Sequence, residues 1–178
     1  GLREFKDGDG EPLTVDVNLM VTTTDMGHPL CGAATDEYAP AMGAPTVTPC
    51  TQRLSHFEAP VALPGLCTDA CPEGQAAVAM DPFIHFKGDE HNVVDPDGVG
   101  DPVVDALRCL APQGLRGCEM AAPLEAMLQA LDPGQPWNLG ARPFLREEAV
   151  LVVIVVSDAT DCSLAAGGEP FFDPKHVD

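Results

Sequence analysis

Phe144-Leu-Arg-Glu-Glu-Ala-Val-Leu-Val-Val-Ile-Val-Val-Ser-Asp-Ala-Thr-Asp-Cys-Ser163 is the stretch on which the reading of this chain turns. Its centre, Val150 to Val156, holds seven apolar residues in a row, five of them Val and one Ile. A charged lead-in and a polar exit bound it. An uninterrupted, β-branched run of this length predicts a strand buried on both faces, the kind found at the centre of parallel sheets. In open α/β sheets ligands gather beyond the carboxyl ends of the strands. That end of the run carries Ser157, Asp158, Thr160, Asp161 and Ser163, which makes it the first place to look for function.

Working outward, Thr14–Thr24 alternates Val15, Val17, Leu19 and Val21 with Asp16 and Asn18, the pattern of a strand with one wetter face, and ends in Thr22-Thr-Thr-Asp25. Residues 28–74 form a Pro/Gly/Cys/Thr-rich insertion without a sustained period, predicted to be a long loop stapled by disulfides. Residues 75–86 predict a short edge strand following a proline. Two helices follow. The first begins with Asp101 as N-cap and Pro102 at its first position and turns Val103, Ala106, Leu107 and Leu110 to one side. The second opens at Pro123 and carries Leu124, Met127, Leu128 and Leu131 at helical spacing; both apolar stripes are assigned to the core. Residues 1–178 are read as one domain or a fragment of one, with its core at about 14–165.

The 28 acidic and 9 basic residues leave a net charge of -19, which opposes a nucleic-acid backbone and an anionic membrane surface alike. The Val-rich run is too short to span a bilayer, so direct membrane insertion is not expected. Seven cysteines, Cys31, Cys50, Cys67, Cys71, Cys109, Cys118 and Cys162, are many for a chain of 178 residues. They point to disulfides and an oxidising compartment: extracellular, periplasmic or at the cell surface. Spacing leaves the pairing open, although Cys109 and Cys118 are near enough to suggest a local bridge, and the odd count leaves one thiol over. Gly1 in place of an initiator Met suggests a processed or excised product.

Several cation motifs compete with plainer explanations. Asp7-Gly-Asp9-Gly-Glu11 imitates the start of a calcium loop, but Pro12 stands where such a loop needs Gly, and a turn is the expectation. Asp95–Asp101 has similar spacing, which the helix start also explains. Cys67-x3-Cys71 followed by His85 and His91 approaches zinc-finger spacing but lacks the finger's apolar positions and basic charge.

The Thr-Thr-Asp25 strand end, the Gly117-Cys118-Glu119 loop, the Pro123-Leu-Glu-Ala-Met helix and the Asp158-Ala-Thr-Asp161-Cys162-Ser163 exit together resemble a bacterial von Willebrand factor A-like domain of the type found in myxobacterial secreted proteins and lipoproteins. The resemblance implies an α/β fold, a mostly parallel doubly wound sheet with helices on both faces, here partial or rewired. It also implies a divalent cation, Mg²⁺ or Ca²⁺, at the carboxyl edge of that sheet. Asp158 matches the family's late Asp by position, and Glu119 falls near its Thr. Asp25, Asp161 and Ser163 complete the candidate ligands. The family's Asp-x-Ser-x-Ser strand has no counterpart, so the resemblance implies that the chain is a piece of a larger protein, that another chain supplies the strand, or that the sheet is rewired.

Three functions follow as expectations. The first is an extracellular protein-binding or adhesion module, metal-dependent in the manner of the family. The second is a structural, disulfide-stapled subunit of a surface assembly. The third is a secreted hydrolase using Ser157 or Ser163 with one of His28, His56, His85, His91 or His176. No Gly-x-Ser-x-Gly elbow or His-Glu-x-x-His supports the third, and the chain is expected not to be an enzyme.

Overall fold

The alternation that starts at Val15 does form a strand, but its neighbour is not the Val-rich run. A computed structural model of the chain describes residues 5–27, 31, 39–58, 61–71, 78–94 and 98–164. Its elements are β1 (Phe5–Lys6), β2 (Pro12–Leu13), β3 (Asp16–Leu19), α1 (Gly65–Thr68), β4 (Val78–Ala79), β5 (Ile84–Lys87), β6 (Glu90–His91), β7 (Val93–Val94), α2 (Pro102–Leu110) and α3 (Pro123–Ala130). Residues 1–21 with 46–116 form one compact unit, and residues 22–45 with 117–178 form a second.

In the first unit every pairing is antiparallel. β3, β5 and β6 make a three-stranded sheet in that order, while β1 pairs β2 and β4 pairs β7. The expected doubly wound parallel sheet is therefore not the fold. Parallel strands need crossover connections; here Lys87 turns back to Glu90 through Gly88-Asp89, with Gly88 at φ 57°, which closes a hairpin directly. The stretch expected to be an edge strand instead supplies β5, the central one. The pattern Ile84-His-Phe86-Lys accounts for this: Ile84 and Phe86 are buried, and His85 and Lys87 share the more open face.

Val15, Val17, Leu19 and Val21 pack against a core of Ile84, Phe86, Val93, Val103, Ala106 and Leu110, so α2 lies on the apolar face of this sheet. On the other face Asp16 takes a hydrogen bond from His85 Nε2 at 3.1 Å and an ion pair from Lys87 Nζ at 3.5 Å. The helix start is as expected. Asp101 is the N-cap of α2, its Oδ1 accepting from the Val103 N–H at 3.0 Å, with Pro102 in the first turn. Asn92, itself buried, ties the hairpin's end down: its Oδ1 accepts from the His85 N–H at 2.8 Å and its Nδ2 donates to the Phe83 carbonyl at 2.9 Å.

Cys50–Cys67 and Cys71–Cys109 form a second cluster in this unit with Phe57, all fully or almost fully buried. The third bridge, Cys31–Cys118, belongs to the second unit. Cys109 and Cys118 are thus not partners: Cys109 lies on the buried side of α2 and meets Cys71, and Cys118 meets Cys31 across 87 residues. Bridges spanning 17, 38 and 87 residues each contribute roughly 3–5 kcal/mol in the chain-entropy picture. Cys67 and Cys71, the would-be zinc pair, are both consumed. Asp7 makes the expected turn, its Oδ1 accepting from the Asp9 and Glu11 N–H groups at 2.9 Å each.

The second unit has α3 as its organising element and no strand among its described residues. Its helix is turned opposite to expectation. Pro123, Ala126 and Ala130 are buried, whereas Leu124 is 50% and Leu128 66% exposed. Small residues admit close approach of neighbouring backbone. Met26 packs on Ala122 and Ala126, and Gly43 sits so near that a Cβ there would lie 2.6 Å from Gln129 Cβ. Trp137 Nε1 and Asn138 Nδ2 both donate to the Ala130 carbonyl, at 2.8 and 3.0 Å, satisfying an acceptor the helix end leaves open.

Candidate binding site

The run Val150–Val156 belongs to no strand and makes no backbone hydrogen bond among the described residues. It is open to solvent, with an exposure that alternates along the chain. Val150, Val152, Ile154 and Val156 are 73–90% exposed, and Leu151, Val153 and Val155 are 45–51% exposed. A period of two is the signature of extended backbone with one face half covered. The expected buried central strand is instead an exposed extended segment. Its composition demanded burial, but backbone partners and flanking layers must exist for a strand to be buried, and among the described residues of its own unit there is one α-helix and no strand.

Both ends of the segment are held. Before it, the Phe144 N–H donates to the Trp137 carbonyl at 2.9 Å, and the Ala149 N–H to the Arg146 carbonyl at 3.1 Å. After it, the Cys162 N–H donates to the Ala121 carbonyl at 2.8 Å. The Ala122 N–H donates to the Thr24 carbonyl at 2.8 Å, which stitches the Thr24–Asp25 turn, the start of α3 and the Asp161–Ser163 exit into one unit.

That stitching brings several of the candidate ligands into one unit, with other duties. Ser163 Oγ accepts from the Glu125 N–H at 2.8 Å and donates to Asp161 Oδ1 at 2.6 Å, and the Ser163 N–H donates to the same oxygen at 3.1 Å. The residue preceding α3, Ala122, has no side chain able to cap, so Ser163 and Asp161 act as its cap from a distant part of the sequence. The Ser163 hydroxyl, chiefly, holds the Asp161 carboxyl below its ordinary value; desolvation opposes it, and the Ser163 and Leu124 backbone groups add to the lowering. Asp25 Oδ1 accepts from the Gly27 N–H at 3.0 Å, and its Oδ2 lies beside Gly117. Glu119 and Asp158 are exposed. Among the described residues no group of three or more His, Cys, Asp or Glu converges as a metal shell would require. Mg²⁺ and Ca²⁺ need six or more oxygens, and the Asp161–Ser163 pair is already engaged in capping.

The serines weighed as nucleophiles are engaged elsewhere. Ser157 Oγ bonds only to Ala159, accepting from its N–H at 3.2 Å, and neither Ser157 nor Ser163 bonds an imidazole among the described residues. His85 is bound to Asp16, and His91 Nδ1 accepts from the Val93 N–H at 3.3 Å. His28 and His176 lie outside the described residues, as does Asp95–Asp97 of the second calcium-like motif. Cys162, at the exit of the run, is the free thiol, with intermediate exposure.

One polar residue without a motif is structurally central. Arg53 donates to the Thr48, Pro112 and Gln113 carbonyls at 2.9, 3.0 and 3.3 Å, clamping the loop that follows α2. Beside it, partial burial and the charges of Arg53 and Arg116 hold the His56 imidazole below its ordinary value. Nothing in the local sequence distinguishes Arg53 from a surface arginine.

Comparison with protein-family models, curated proteins and solved structures finds no match to this chain. The resemblance to von Willebrand factor A-like domains is thus not supported by any matching family model, and the antiparallel sheet removes the fold it implied.

Proposed function

We propose that this chain is a disulfide-stapled binding module of an oxidising compartment that engages another polypeptide through Val150–Val156. The observation that carries the reading is the exposure of seven consecutive aliphatic residues, 45–90% each, with no backbone partner among the described residues. Soluble monomers protect such edges with charges, prolines, bulges or a covering element, and contiguous apolar surface marks an interaction site. The run contains none of those devices. Leu124 and Leu128 on the outer side of α3 add apolar surface in the same unit.

Three disulfides suit a protein of an oxidising, extracytoplasmic setting, and among the described residues no helix is long and apolar enough to cross a membrane. Strand pairing supplies affinity through main-chain hydrogen bonds and selectivity through alternate side chains. It requires no cation; heat and a raised Tm on titration with Mg²⁺ or Ca²⁺ would add one to this reading.

A photoreactive side chain at position 152, compared with one at the exposed Val61 of the first unit, tests the proposal in the fluid that normally surrounds the protein. A covalent adduct of defined mass formed from position 152 alone is the expected result. Equal labelling from both positions, or none from 152, removes the reading.

A further inference from the structure

The partner's chemistry can be narrowed further, on the basis of the strand-pairing reading above. We infer that the Val150–Val156 segment is completed by an extended apolar strand of a different polypeptide whose ends carry Lys or Arg. Glu147 and Glu148 precede the run, and Asp158 and Asp161 follow it. The nearest basic residue, Arg146, is half buried and has an interaction of its own. Both ends of the apolar segment are therefore negative, on a chain whose net charge is -19. A strand laid along it meets carboxylates at each end, and basic flanks convert that from repulsion to attraction.

A second copy of this chain fits poorly. The antiparallel register that overlaps all seven residues of both runs centres on Val153 and sets Glu148 opposite Asp158 at either end. A parallel in-register pair places each acidic flank beside its own duplicate. Like charges directly opposite destabilise a strand pair, and each copy brings the same net charge.

Geometry favours an added strand over an amorphous apolar contact. Val150, Val152, Ile154 and Val156 face solvent, all β-branched, the side chains best suited to cross-strand packing. The segment is anchored at Phe144 on one side and at Cys162 and Ser163 on the other, so part of the ordering cost of pairing is already met.

The experiment uses the full, oxidised chain and three synthetic peptides of the run's own length with an alternating Val/Thr core. One is flanked by lysines, one by glutamates, and one is lysine-flanked with a central proline. Fluorescence anisotropy is expected to show the lysine-flanked peptide binding about tenfold or more tighter than the glutamate-flanked one at low salt. That gap should narrow in about 1 M salt, where the Debye length falls to ~3 Å. The proline peptide should not bind. Hydrogen exchange should show new protection at residues 150–156, and Val153→Pro and Val152→Glu should each abolish binding, with an unchanged melting temperature showing that the fold survives.

Equal binding of the lysine- and glutamate-flanked peptides overturns the basic partner while leaving strand pairing standing. Failure of all peptides, with a dimeric parent that Val153→Pro renders monomeric, assigns the edge to a second copy and overturns the inference. Failure of all peptides with a monomeric parent, unprotected amides and no adduct from position 152 removes both the inference and the proposed function.

Discussion

Ser163 and Asp161 illustrate how a residue's chemistry is settled by what lies beside it. As sequence they are oxygen-bearing groups after an apolar run, consistent with metal ligation; in the structure they cap α3 through the Glu125 N–H. Ser163→Ala is expected to cost about 1 kcal/mol in urea denaturation, the usual value of a lost N-cap. Ser157→Ala, whose hydroxyl bonds only within its own turn, should stay within about 0.5 kcal/mol. His56 carries a pH signature. Its imidazole is held below the ordinary value of 6.5 in the fold by burial and by Arg53 and Arg116. Unfolding restores that value, so below it the unfolded chain binds the extra proton first and stability falls as pH drops. Chemical denaturation at a series of pH values should give a shallower decline between neutral and mildly acid pH for His56→Gln than for the parent; parallel curves would show that His56 is not the group responsible. Asp101 and Pro102 were legible without coordinates because capping acts within three residues. The Ser163–Glu125 bond joins positions 38 residues apart, and no local pattern announces it.

At the scale of elements, the same residue type takes opposite roles. Ile84 on β5 is fully buried, while Ile154 in the exposed run is 82% exposed. Ile84→Ala should therefore cost about 2–5 kcal/mol, and Ile154→Ala no more than about 0.5 kcal/mol. Thermal or urea unfolding of the two variants measures the contrast, and comparable losses would place the run in a core after all. Helices α2 and α3 stand where periodicity put them, because Asp101 and Pro102 set the start of the first and Pro123 that of the second. The buried side of α2 also agreed with its stripe. That of α3 did not: its leucines satisfy a core pattern, yet Ala126 and Ala130 face inward where Met26 and Gly43 approach closely. Periodicity gives the spacing of a stripe, and which stripe is buried depends on the shape of what packs there. For β5 the proline before the segment suggested an edge, whereas β3 on one side and β6 on the other make it central.

For the whole molecule, the disulfide pattern sets a countable expectation. Alkylation of the native protein should modify one cysteine, Cys162, and alkylation after reduction and unfolding all seven, with peptide mapping returning Cys31–Cys118, Cys50–Cys67 and Cys71–Cys109. More than one reactive thiol in the folded chain would contradict those pairings. The sequence by itself determined the acidic charge balance, the use of disulfides, the turn at Asp7, the capped start of α2 and the existence of α2 and α3, since composition and contacts within a few residues suffice for these. Tertiary structure alone decided the antiparallel order of β3, β5 and β6, the partners of each cysteine, the inward face of α3 and the exposure of Val150–Val156. Each of these depends on which distant segment supplies a hydrogen-bond partner or a surface to pack against. An apolar run records a demand for burial, and only the arrangement of the rest of the chain, or of another one, can meet it.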